Sequence, residues 1–135
     1  MPERSDNLLA FLHGDAAAGS ESVEWLRDGM RRWLFDGDGL PLPRVLGLPG
    51  TPQRCRISLR DCALRNAAAC LEGSMWQRAC ELHARAVAFE RGPWKRHRTA
   101  DAPPAQLDEL HRHIWIACRA WPLPARVQSF LEIIA

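Results

Sequence analysis

From Met75 to Glu90, apolar side chains recur in two adjacent rows at helical spacing. Met75, Ala79, Leu82, Ala86 and Phe89 form one row, and Trp76, Cys80, His83 and Val87 the other. Only Gln77, Arg78, Glu81 and Arg85 make a polar strip, so the pattern predicts a helix with a wide buried face at the centre of a core. Ser74 and Gln77 stand at capping-box spacing before it. Gly92 and Pro93 follow its end in the order that terminates helices.

The same periodicity predicts further helices on either side. Asp6–His13 is a short one, with Ser5 or Asp6 as cap and Gly14 as stop. After the connector "GDAAAGSES", a helix runs from Ser20 or Ser22 to Phe35, its inward stripe being Val23, Leu26, Met30, Trp33 and Leu34. Prolines and glycines then break the pattern across 37–51. That segment reads as an ordered connector, with room for one turn at Pro43–Leu48 and with Leu40, Leu42, Val45, Leu46 and Leu48 packing on the core. Thr51–Pro52 is a cap followed by proline at the first helical position. "RCRISLR" alternates like a strand, but Cys55, Leu59, Cys62, Ala69 and Cys70 also fit a helical stripe. The alanines that follow favour one helix from Pro52 to Leu71. Pro104–Ala120, with Leu107, Leu110, Ile114, Trp115 and Cys118 inward, and Pro124–Ile134, with Val127, Phe130, Leu131 and Ile134, complete an all-α bundle of five or six helices.

Composition narrows the class. At 135 residues and 47% hydrophobic, the chain suits a single domain with a proper core. Within it, 1–36 reads as acidic N-terminal helices, 37–51 as the connector and 52–135 as a helical core with a basic tip. The start lacks the pattern of a secretory signal, and no apolar run approaches a membrane span, so the expectation is a cytoplasmic protein with no membrane partner. The five cysteines, Cys55, Cys62, Cys70, Cys80 and Cys118, are odd in number and lie in helical segments, which favours reduced thiols.

Charge is unevenly placed. The net charge of +2 divides into −4 over residues 1–43, +7 over 44–98 and −1 over 99–135. Of 18 basic residues only Lys95 is a lysine. The arginine bias, with no tyrosine and much alanine, fits GC-rich coding and a bacterial, plasmid or phage accessory gene. A basic middle nevertheless suggests a surface facing a polyanion.

Catalytic and cofactor motifs are missing. There is no nucleophile elbow and no phosphate-binding glycine loop, since "GLPGTP" lacks the following lysine. "DGDG" fails as a calcium loop because Gly47 stands where the twelfth-position carboxylate belongs. Cys80 with His83, or His111 with Cys118, is the best metal pairing that spacing offers. Without any Cys-x-x-Cys, and with every cysteine on an apolar stripe, the reading is no metal and no catalytic site. Glu21/Glu24 and Asp108/Glu109 are explained by helix dipoles.

Nucleic-acid binding is the function the pattern favours. Arg54, Arg56, Arg60 and Arg65 precede the central helix, and Arg91, Lys95, Arg96 and Arg98 follow it. Antiparallel packing across the "LEGS" turn would merge them into one anion-binding end. Trp94, within "RGPWKRHR", would stack on a base or plug the core. The expectation is a non-enzymatic helical protein that contacts nucleic-acid backbone, as a subunit or regulator of a larger nucleoprotein complex. The alternative is a protein-interaction module that binds its partner through Trp25, Arg31, Arg32 and Trp121, tryptophan and arginine being frequent interface anchors. An exposed tryptophan-rich apolar patch away from the basic clusters would favour this second reading.

Overall fold

The computed structural model describes residues 5–14, 20–36 and 39–135. Among these, all regular structure is helical: α1 (Ser5–His13), α2 (Glu21–Arg31), a π-helical turn (Arg32–Asp36), α3 (Leu42–Val45), α4 (Pro52–Ala69), α5 (Met75–Arg91), α6 (Pro93–His97), α7 (Glu109–Ala120) and α8 (Val127–Ile134). The connector at 15–19 and residues 37 and 38 of "DGDG" lie outside the described residues. The all-α expectation holds, but the described helices number eight, not five or six. The two additional ones, α3 and α6, are short and each carries proline in its first turn. Proline's fixed φ favours that position, so a residue that excludes a long helix here starts a brief one. "RCRISLR" is helical, inside α4.

The chain forms two compact units, 1–59 and 60–135. In the first, α1 and α3 both pack on α2. Ser20 caps α2 by accepting from the Val23 N–H, and Glu21 and Glu24 sit in its first turn. The Trp25 indole N–H donates to the Leu46 carbonyl at 3.2 Å, tying α2 to the end of α3. Gly29 lies directly against the buried Leu46 side chain, leaving no space for a Cβ. Gly29→Ala is therefore expected to overpack this crossing and cost about 1–3 kcal/mol. Urea melts should show it, and an unchanged midpoint would mean that Leu46 moves aside freely.

The predicted stripe of α2 fails at its end. Trp33, Leu34 and Phe35 are 40, 61 and 80% exposed. A π turn takes more residues per turn than an α-helix, so residues beyond Arg31 rotate off the line set by Val23, Leu26 and Met30. Leu40 is exposed as well, whereas Leu46 is buried, so only part of the expected connector packing forms.

The second unit holds most of the core. Ala63, Leu64, Ala67, Ala79, Leu82, Ala86, Ile114, Trp115, Ala117 and Phe130 are fully buried. On α5 the first predicted row turns inward, except that Met75 joins Trp76 in being exposed at the helix start. The Ser74–Gln77 capping box is present in both directions. α5 packs on α8 and α7. His83, placed on the apolar face by its spacing, meets the Phe130 ring edge-on at 5.5 Å, and its Nε2 bonds the Ala125 carbonyl.

Two predicted starts move inward. Asp108, not Pro104, opens the helix that ends at Ala120, because its carboxylate accepts the His111 N–H. Extended backbone at Arg126 delays α8 to Val127. At the end of α4, Ala69 and Cys70 are exposed; the buried positions there are Ala67 and Ala68, one step round the helix from the stripe that spacing suggested.

Candidate nucleic-acid interface

Gly92 caps α5, donating its N–H to the Phe89 carbonyl, and Pro93 starts α6 at once. The five residues of α6 are amphipathic within a single turn. Trp94 and His97, three apart, are half-buried on one side, while Lys95 and Arg96 are exposed, as is Arg98 just beyond. Lys95 and Arg98 are also three apart and share a face. Arg91, in the last turn of α5, is exposed too. None of these four cations has an ion pair among the described residues.

Two contacts hold this arm in place. The Trp94 ring meets Trp115 edge-on at 6.0 Å and 71°. The Trp115 indole N–H donates to the His97 carbonyl at 3.1 Å. Trp115 is fully buried in α7, so the arm is fastened to the core of the second unit. Trp94 acts here as an anchor, half-buried and held edge-on against Trp115.

The other predicted arginines divide. Arg60 is largely buried, bonded to Asp61 at 2.8–2.9 Å and to the Pro122 carbonyl at 2.9 Å. Arg65 donates from Nε to the Ile133 carbonyl at 3.2 Å. Both guanidiniums hold α4 to the C-terminal part of the second unit. Arg54 and Arg56 are exposed near the start of α4 and belong to the first unit.

Of the residues named for a protein partner, Trp25 is half-buried and tied to Leu46, and Trp121 is half-buried at the end of α7. Arg31 and Arg32 are exposed and lead directly into the exposed Trp33–Phe35 turn. Spacing hid this apolar patch, because an α-helical continuation would have buried Trp33 and Leu34. The first unit also has a cleft of about 490 Å³ whose lining includes Glu21, Glu24, Trp25, Asp28, Arg32 and Arg44.

None of the five cysteines is in a disulfide. Burial, with help from Glu90, pushes the Cys118 thiol up to about 12, which makes it a poor nucleophile. Among the described residues one group of metal-capable side chains converges: Cys70, Glu109 and His113, with donor atoms within 4.8 Å of one another. Beside them, the His111 backbone N–H and ring hold the Asp108 carboxyl below its ordinary range. No described helix is long and apolar enough to cross a membrane. Comparisons with models of protein families, with curated proteins and with solved structures find no match for this chain.

Proposed function

We propose that the protein is a non-enzymatic binding protein that holds nucleic-acid backbone against the arm carrying Arg91, Lys95, Arg96 and Arg98. The observation that carries this reading is that all four cations are exposed and unpaired among the described residues, on a turn fastened to buried Trp115. Surface arginines without a role usually find carboxylates or lie on mobile side chains. Here the backbone turn that carries Lys95 and Arg96 is itself fastened, so binding need not order it. The arm reaches phosphates and carries no long helix to enter a groove, which favours backbone contact over base readout. Arg60 and Arg65 serve the fold in this reading. A small protein with such an arm suits a subunit or regulator of a larger nucleoprotein complex.

Labelled single- and double-stranded DNA and RNA, followed by fluorescence anisotropy over a salt series, test it. Four phosphates neutralised on a duplex correspond to a slope of log K against log salt of about −3.6. Joint replacement Arg96→Ala and Arg98→Ala is expected to make the slope shallower by about 2 and to weaken binding to all sequences alike. Absence of salt-sensitive binding at low ionic strength would overturn the proposal.

A second reading draws on the exposed Trp33–Leu34–Phe35 turn beside Arg31 and Arg32. Large apolar side chains grouped at the surface suit a protein interface, and π-helical turns often accompany functional sites. Retained partner capture by Arg96→Ala/Arg98→Ala, with loss in Phe35→Ser, would favour this reading over the first.

A further inference from the structure

We propose that Cys70, Glu109 and His113 form a binding site for a zinc-class divalent ion, which joins the end of α4 to the first turns of α7. The site stands independently of the nucleic-acid reading.

Three donors of different chemistry meet there from two elements far apart in sequence. Cys70 follows the last residue of α4, and Glu109 and His113 lie four apart on one face of α7. A thiolate, an imidazole and a carboxylate are the ligand types zinc takes, at about 2.0–2.3 Å from the ion. Tetrahedral vertices at those lengths are about 3.3–3.8 Å apart. The donors, within 4.8 Å of one another, need only small torsional adjustments to reach them. Cys70 and Glu109 are exposed and have the freedom to make those adjustments.

The fold uses this group only lightly: the Cys70 thiol donates to the Asn66 carbonyl at 3.5 Å, and His113 faces Glu109 at the outer limit of an ion pair. His113 Nε2 lies 3.8 Å from the Glu109 carboxylate, too far for a hydrogen bond, and its Nδ1 is buried without a partner. On binding, the Cys70 S–H bond breaks, its proton leaves to solvent and a sulfur–metal bond forms. Three protein ligands leave the fourth position for water, as in zinc sites that are open to solvent.

The selectivity follows from the donors. Sulfur excludes magnesium and calcium, which take oxygen ligands. It favours zinc or cobalt(II) in tetrahedral geometry. Cobalt(II) is therefore the probe. Titrated into the reduced full-length protein, it is expected to bind at one equivalent. It should give a thiolate-to-cobalt charge-transfer band and the intense visible bands of tetrahedral cobalt, both displaced by zinc. Cys70→Ser should abolish the charge-transfer band. His113→Ala and Glu109→Gln should weaken binding by at least about tenfold, since loss of even an outer-shell partner commonly costs 10–100-fold. Cys80→Ser should change nothing. Zinc should also shield Cys70, and not the other thiols, from alkylation mapped by mass spectrometry, a readout in the unmutated protein that does not depend on variants folding. No saturable cobalt spectrum, a charge-transfer band that survives Cys70→Ser, or unchanged alkylation of Cys70 in zinc would each overturn the site.

Discussion

Trp115→Ala is expected to destabilise the second unit by about 3–5 kcal/mol, the usual cost of deleting a large buried aromatic. For a small domain this is a large share of the total stability. Trp115 is fully buried, so truncation leaves a cavity in the core that the surrounding helices can fill only in part. It also removes both fastenings of the basic arm, the edge-on contact with Trp94 and the hydrogen bond to the His97 carbonyl. Trp115→Phe separates the two effects. It keeps much of the volume and loses the indole donor, for a smaller cost of about 1–3 kcal/mol where the carbonyl is left unpaired. Chemical denaturation followed by circular dichroism measures stability, and anisotropy under conditions where Trp115→Phe stays folded measures binding. Weaker nucleic-acid binding by folded Trp115→Phe is the expected result. Binding equal to that of the unaltered protein would mean that the arm does not need this fastening.

Phe130→Ala is the second large effect, again about 3–5 kcal/mol. Phe130 is fully buried on α8, the helix most closely packed on α5, and its ring lies against His83. Removing it takes the main apolar anchor from an eight-residue helix that has no side-chain cap at its start. Helices this short are held by packing and not by their own hydrogen bonds, so α8 is expected to detach before the rest of the unit unfolds. Hydrogen exchange should show amides of 127–134 losing protection first. Uniform loss across α5 and α7 would show that α8 melts only with the whole unit.

Phe130 and Trp115 were both legible from periodicity, as were the inward row Ala79, Leu82, Ala86 and Phe89 and the capping box before it. Those signals are local: helical spacing and a cap are written within a few turns of chain. What spacing could not show was where the period itself changes. At Arg32 the helix widens into a π turn, and the same apolar residues that looked like core became surface. α6 was missed, and α3 was foreseen only as room for one turn at Pro43–Leu48, for a related reason: proline both stops long helices and begins short ones.

The arginines show a different limit. Arg60 and Arg96 are chemically alike, yet one is enclosed by Asp61 and Pro122 and the other faces solvent; only the tertiary structure separates them. Cys70 shows the same limit in reverse. Spacing along one helix offered Cys80 with His83, a pairing set aside for want of a metal motif, whereas the convergence that forms joins Cys70 to Glu109 and His113 on another helix.

The arm is fastened through the backbone carbonyl of His97, an atom every amino acid carries. The clasp therefore recognises chain geometry and not side-chain identity at that position. Lys95, Arg96 and Arg98 can be exchanged for neutral, acidic or bulkier residues while the turn that presents them keeps its seat on Trp115. Such a device separates what is displayed from what holds the display, so the strength and sign of the contact surface can drift or be redesigned without renegotiating the fold beneath it.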